Sequence, residues 1–196
     1  MDIIKEMEAY AKQYNVPIME SEGIEFLCNF IRKHHIKRIL EVGTAIGYSA
    51  ICMATVDENI EVVSIERDTE RYHCAVENVN AAKLQKRITL CHEDALKCEV
   101  TGSFDLIFID AAKAQYLKFF QRYEKQLNIG GWIVSDNLQF HGFVEHPEII
   151  RSRHLRQMVR KIKNYIEFLK NNGNYDTEFV NIGDGVAISR KKAENL

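Results

Sequence analysis

The sequence predicts an α/β protein: a doubly wound, mostly parallel sheet of seven strands that closes with an antiparallel hairpin. Three observations predict it. Short apolar runs alternate along the chain with amphipathic stretches of helical period. Runs such as Leu106–Ile109 ("LIFI") are apolar without alternation, as in strands buried on both faces of a parallel sheet. Near the C-terminus, Gly183-Asp184-Gly185 separates two strand-like runs, which signals a hairpin.

Taken in order, Met1–Tyr14 and Glu22–Arg32 read as two helices joined by "NVPIMES". Ser21 is the expected N-cap of the second, although Glu25 stands one place beyond the capping-box position. These leading helices, within residues 1–35, are expected across the mouth of the sheet. Strand Lys37–Val42 then leads through a glycine turn into helix Tyr48–Thr55. Strand Glu61–Ile65 precedes helix Arg71–Ala82, and strands Ile88–Cys91 and Phe104–Ile109 follow. A helix over Tyr116–Gln126 is expected to be broken by Gly130-Gly131 before strand Trp132–Ser135. Ser152–Lys170 has the stripe of a long amphipathic helix, with Leu155, Val159, Ile162, Ile166 and Leu169 facing inward. Glu178–Ile182 and Val186–Ser189 form the hairpin, which is expected to add an antiparallel strand at one side.

No Pro/Ser-rich linker or repeat interrupts the 196 residues, so a single domain over 1–196 is expected. Hydrophobic content of 46% and charged content of 28% are those of a soluble globular chain. No apolar run reaches the roughly 20 residues needed to span a bilayer. The N-terminus alternates charged and apolar residues, unlike a signal peptide. Cys28, Cys52, Cys74, Cys91 and Cys98 are odd in number and lack CxxC spacing, which suits free thiols in a reducing cytoplasm. Neither Cys91-His92 nor His34-His35 has the spacing of a zinc site. A net charge of −2 argues against nucleic-acid binding across the whole surface but permits a local basic patch.

Acids stand where strands end. Glu41 closes the first, and the turn "GTAIG" follows, with Gly43 and Gly47 in G-x-x-x-G rather than the G-x-G-x-x-G of dinucleotide enzymes. Glu41 suits a cation or a ribose better than a pyrophosphate. Glu66 ends the second strand, where a carboxylate can accept both hydroxyls of a ribose. Asp94, in Glu93-Asp94-Ala95, could accept from an adenine amino group. Asp110 ends the fourth strand with Lys113 close behind, and Asp136-Asn137 ends the fifth. Any one of these acids reads equally well as a solvated strand end; together they mark the carboxyl edge where open α/β sheets bind ligands.

In this order E-V-G-T-A-x-G-Y-S, Glu66, Asp94-Ala95, F-D-L-I-F-I-D-A-x-K-x-x-Y, S-D-N and G-D-G resemble the cation-dependent class I S-adenosylmethionine O-methyltransferases, the catechol and caffeoyl-CoA type, over about residues 16–191. The resemblance implies a Rossmann-like methyltransferase sheet and an S-adenosylmethionine pocket lined by Met19, Gly43, Ser49, Glu66, Asp94, Ala95 and Asp110. It implies a metal site of Asp110, Asp136 and Asn137, with Lys113 and Asp110 catalytic, and a cytoplasmic homodimer. Hard oxygen donors select Mg2+, or Mn2+, over zinc. An acceptor with two neighbouring oxygens could chelate the ion while Lys113 takes the proton.

Within that family, "NVPIMES", "GTAIGYSAI", "FIDAAKAQYLKFF" and "GDGVAISRKK" look like the bacterial tRNA 5-hydroxyuridine methyltransferases, which make 5-methoxyuridine at the wobble position. The helix "RSRHLRQMVRKIKNYIEFLK" fits: Arg153, Arg156, Arg160 and Lys163 fall on one stripe without an acid among them, which suits the phosphates of a tRNA anticodon loop. The chain begins close to the first motif, so a further leading helix of relatives is expected to be missing or left out. The alternative acceptor is a small catechol-like or phenolic molecule, for which the same helix is a solvated face. A nicotinamide oxidoreductase is disfavoured by the G-x-x-x-G turn, Glu41 and the Asp-Asn pair. A silent RNA-binding module is disfavoured because the metal and lysine positions are filled.

Overall fold

The computed structural model describes residues 3–193. Met1 and Asp2 of the expected first helix, and residues 194–196 of the expected domain, lie outside the described residues. Seven strands, β1 (Arg38–Val42), β2 (Glu61–Glu66), β3 (Ile88–His92), β4 (Phe104–Ile109), β5 (Leu127–Ser135), β6 (Tyr175–Val180) and β7 (Val186–Lys191), form one sheet in the order β3-β2-β1-β4-β5-β7-β6. This is the doubly wound sheet with a terminal antiparallel hairpin. The chain divides into two compact units, residues 1–100 and 101–196.

In the first unit β2 pairs in parallel with β1 and with β3, Leu40 standing opposite Val63 and Ser64 opposite Leu90. Ile39, Leu40, Glu41 and Val42 are all fully buried, as a run without alternation requires. Helix α3 (Tyr48–Thr55) follows β1 and is buried over most of its length. Helix α4 (Thr69–Ala81) starts on Asp68, whose carboxylate accepts the Arg71 N–H at 3.0 Å. The leading helices α1 (Ile3–Tyr14) and α2 (Ser21–Lys33) pack on other helices, α1 against α3 and α4 and α2 against α3. Ser21 is not the N-cap of α2: Glu20 holds that place, without a side-chain bond, and Ser21 is the first helical residue.

In the second unit β4 and β5 are parallel, with Ile107 opposite Ile133. Gly130-Gly131 lies inside β5 and does not end a helix. The helix before it, α5 (Tyr116–Tyr123), tightens into a 3₁₀ turn at Glu124–Gln126. Gly130 is left-handed at φ 77, and close backbone approach explains Gly131. A Cβ on Gly131 would stand 2.9 Å from the Asn128 carbonyl oxygen and 3.0 Å from that of Asp105, and the register shifts between Phe104 and Leu106. β7 is antiparallel to β5 and to β6, so the hairpin's second strand joins the sheet and β6 forms the edge. Helix α6 (Arg153–Asn171) begins on the hydroxyl of Ser152, which accepts the Leu155 N–H at 3.4 Å. It buries Val159, Ile162, Tyr165 and Leu169, while Leu155 and Ile166 are half-buried.

Candidate functional site

In the first unit the turn after β1 is held by carboxylates. The N–H groups of Gly43 and Thr44 both donate to the Ile65 carbonyl, at 3.1 and 3.3 Å, which ties the ends of β1 and β2. Gly43 (φ 106), Ala45 (φ 47) and Gly47 (φ 86) are all left-handed. A Cβ on Gly47 would make only an ordinary contact with Ala75 of α4, at 3.4 Å, so it is the positive φ that calls for glycine there. Glu66 is buried; its Oε2 accepts the Ala45 N–H at 2.9 Å and its Oε1 the Asp68 N–H at 2.9 Å. The carboxylate is thereby preorganised, with lone pairs remaining for a diol. Glu41 is fully buried and accepts from the hydroxyls of Ser49, at 2.5 Å, and Ser64. Ser49 is therefore spoken for by Glu41. The Glu93 N–H donates to the Glu66 carbonyl at 3.0 Å, which brings the end of β3 beside β2. Asp94 accepts the Leu96 N–H at 2.8 Å, and Ala95 is buried behind it. Met19 is buried against Gly23 of α2, its Cε 3.1 Å from where a Cβ would stand. These residues fit an adenosine: a fixed carboxylate beside a glycine turn, and a polar strand end next to it.

A cleft of about 360 Å³ lies elsewhere in this unit, lined among others by Glu8 and Ile24 with Cys28, Tyr48 and Cys52. Burial pushes Cys28 up to about 11 and Cys52 up to about 12. Both thiols stay protonated at neutral pH, so the cleft offers no thiolate nucleophile.

The second unit gathers Asp110, Lys113, Asp136 and Asn137. The Asp136 N–H donates to the Ile109 carbonyl at 3.1 Å, joining the ends of β4 and β5. β5 has ended at Ser135, and Asn137 is left-handed at φ 56. The turn folds Asn137 back on its neighbour: its N–H donates to Asp136 Oδ1 at 2.7 Å and its Nδ2 to Oδ2 at 3.2 Å. Lys113 Nζ donates to Asn137 Oδ1 at 2.6 Å and stands 5.9 Å from the Phe140 ring centre. Beneath them the buried Tyr116 hydroxyl donates to the Asp136 carbonyl at 3.1 Å.

Burial, and then the charge of Asp110, push Asp136 up to about 7. Burial likewise raises Asp110, against the pull of Lys113. Two carboxylates that resist ionisation, beside an amide oxygen and without a thiolate, have the donor chemistry of a hard cation. Among the described residues no group of three or more His, Cys, Asp and Glu side chains is arranged to hold a metal. The set here is two acids and an amide.

Two supports of the site have no signal in the sequence. Ser64 and Thr44 (hydroxyls 2.5 Å apart) steady Glu41, and nothing in their spacing signals it. Asp184 stands in the G-D-G turn and motif with no role read for its side chain, yet its Oδ1 accepts the His141 N–H at 2.6 Å and its charge is felt at Asp136. On α6, Arg153 and Arg160 are exposed and Lys163 half-exposed. Arg156 is occupied: its Nε donates to the Ile150 carbonyl at 2.9 Å and its Nη2 to that of Arg151 at 3.4 Å.

Residues 1–192 match the O-methyltransferase family. A caffeoyl-CoA O-methyltransferase of Populus kitakamiensis is 29% identical over 210 residues, covering 96% of this chain and 86% of that protein. The crystal structure of a candidate caffeoyl-CoA O-methyltransferase from Staphylococcus aureus superposes with a TM-score of 0.93 at 38% identity, over 96% of this chain and 91% of that one. An O-methyltransferase of Bacillus cereus, solved with S-adenosylhomocysteine, shares the fold with a TM-score of 0.85 at 23% identity, over 98% and 91% of the two chains.

Proposed function

The chain belongs to the O-methyltransferase family, and on that premise we propose that it methylates one of two vicinal oxygens with the help of a divalent cation, its acceptor being 5-hydroxyuridine at the wobble position of tRNA. The observation that carries the chemistry is the cluster of Lys113, Asn137 and Asp136 at the ends of parallel strands, with Lys113 Nζ held 2.6 Å from the amide oxygen.

S-adenosylmethionine, held by Glu66, the Gly43–Gly47 turn and Asp94, would supply the methyl group as a sulfonium. Mg2+ or Mn2+, held by Asp110, Asp136 and Asn137, would lower the pKa of the acceptor hydroxyl and orient its neighbour. The protein's own residues do the rest. Asn137 accepts from Lys113 Nζ and so holds it in place; as the neutral amine Lys113 would take the acceptor's proton, and as the ammonium so formed it would stabilise the anion left behind. Tyr116 stays a neutral phenol, its ionisation opposed by burial and then by Asp110 and Asp136. It supports the Asp136 backbone and moves no proton.

The acceptor reading rests on the exposed cations Arg153 and Arg160, with Lys163 beside them, on a helix whose described first turn holds no acid. The 5-hydroxyl and 4-carbonyl of the base present the vicinal pair that the cluster requires. A second reading, a small phenolic acceptor, draws on the likeness to caffeoyl-CoA O-methyltransferases. Mass spectrometry of tRNA nucleosides separates the two. Cells lacking the protein should lose 5-methoxyuridine and accumulate 5-hydroxyuridine. Unchanged nucleosides, with turnover of a simple catechol by the purified protein, would leave the phenolic reading standing.

A further inference from the structure

The segment that follows Asn137 is unusual. Asn137, Phe140 and His141 are all left-handed, at φ 56, 49 and 56, although none is glycine. Such backbone persists only where its surroundings over-determine it. Here the surroundings are the turn between β6 and β7. The Leu138 N–H donates to the Gly185 carbonyl at 2.9 Å, and the Gln139 N–H to the Asp184 carbonyl at 2.8 Å. The His141 N–H donates to Asp184 Oδ1 at 2.6 Å, and Gln139 Nε2 to Asn181 Oδ1 at 2.7 Å. The approach is close enough that a Cβ on Gly185 would stand 2.6 Å from the Gln139 Cγ. One side chain in this clamp carries charge. Asp184 is 13% exposed, and its Oδ2 is buried without a hydrogen bond, 3.7 Å from the exposed His141 ring.

We propose that Asp184 is a positioning residue: through Oδ1 it holds the end of the segment Leu138–His141, where Phe140 and His141 are left-handed, and so helps set the Asn137 amide against Asp136 and Lys113. The inference rests on the cation reading above. The chain of contacts is short. The Asp184 side chain fixes the His141 amide at one end of the segment, the carbonyls of Asp184 and Gly185 fix those of Gln139 and Leu138, and Asn137 at its head keeps the φ that folds it back on Asp136. Released, the segment would move toward right-handed backbone, and the amide oxygen would leave the place where Lys113 and a cation meet it. Asp184 touches neither acceptor nor methyl donor in this account.

Two variants separate the hydrogen bond from the charge. Asp184→Asn keeps a carbonyl oxygen for the His141 N–H, whereas Asp184→Ala removes it. The measurement is Mn2+ binding to the full chain, without acceptor, by the loss of the free-ion electron paramagnetic resonance signal. Affinity for S-adenosylhomocysteine by calorimetry and amide exchange over residues 137–141 are read in parallel. Asp184→Ala should weaken Mn2+ binding roughly tenfold, as for the loss of one hydrogen bond to a charged group. It should speed exchange in the segment and leave S-adenosylhomocysteine affinity unchanged. Asp184→Asn should restore binding to within about threefold of wild type. Wild-type Mn2+ affinity and exchange in Asp184→Ala would overturn the inference, and so would an Asn variant as weak as the Ala variant. Absence of Mn2+ binding by the wild type would instead remove the cation reading itself, and this inference with it.

Discussion

Asp136 is the side chain whose ionisation the fold opposes most plainly at this site. Burial, then the charge of Asp110, raise its carboxyl from an ordinary 3.8 to about 7. Between those values the native state holds a proton that the unfolded chain has released. Stability therefore falls as pH rises through that window and levels off above about 7, a loss on the order of a few kcal/mol that Asp110 shares. A cation reverses the sense of this, because it binds the ionised pair. The rise in melting temperature produced by Mn2+ should be small at pH 5 and grow through pH 7 to a plateau. Calorimetric melts at several pH values check it, and a shift independent of pH would remove Asp136 from the cation's ligands. In the first unit the decisive side chain is Glu66. It already accepts two backbone N–H bonds, so Glu66→Ala loses both the turn's anchor and the acceptor for a ribose. S-adenosylmethionine affinity should drop by about 1–3 kcal/mol by calorimetry. Unchanged affinity in a folded variant would exclude Glu66 from the pocket.

At the scale of elements, helix α6 shows what a periodic pattern reveals and what it hides. The apolar stripe was legible because burial repeats with the helical turn: Val159, Ile162 and Leu169 are buried. Tyr165 was not, because its polar tip disguised a residue whose hydroxyl pairs with that of Ser135 at 2.7 Å. Arg156 fell on the basic stripe by spacing, yet its guanidinium satisfies the carbonyls of Ile150 and Arg151 just ahead of the helix, a use of charge that no spacing encodes. The glycine pair misled for a similar reason. Gly130-Gly131 reads as a break along the chain, but Gly130 answers to a left-handed backbone within β5 and Gly131 to the carbonyls of Asn128 and, on the neighbouring strand, Asp105, which a linear reading does not see. Placed residues then separate by role. Arg153→Glu with Arg160→Glu should weaken tRNA binding and lower its salt slope by roughly one unit per lost phosphate contact, without changing the melting temperature. Arg156→Ala should lower the melting temperature, by the roughly 1 kcal/mol expected for a lost backbone anchor. Filter binding against salt, with melts of each variant, decides it; equal slopes for the double variant and wild type would return the helix to a solvated face.

For the whole molecule, the strand ends were legible because parallel strands are apolar until they stop, so each carboxylate after a run stood out. Their mutual geometry was not, since it depends on left-handed residues such as Asn137 and on the clamp from Asp184, far along the chain. Apart from Asp110, which the family resemblance puts in both, the two sets of residues also fall on different stretches: the carboxylates and glycines assigned to the methyl donor lie within residues 1–100, and the cation set lies within 101–196. Each set is tied by hydrogen bonds within its own stretch. Donor binding and cation binding should therefore be separable in the intact chain. An excess of chelator should abolish methyl transfer and Mg2+ should restore it, while S-adenosylmethionine still protects the chelated protein against heat. At one hundred times its dissociation constant the donor should add about 2.7 kcal/mol of stability, with chelator or without. Asp136→Ala should behave as the chelated wild type does, inactive but protected by the donor. Thermal melts with and without donor, in chelator and in Mg2+, read both halves in one experiment. Full turnover in chelator would eliminate the cation, and loss of donor protection in chelator would show that the donor's residues depend on the cation after all.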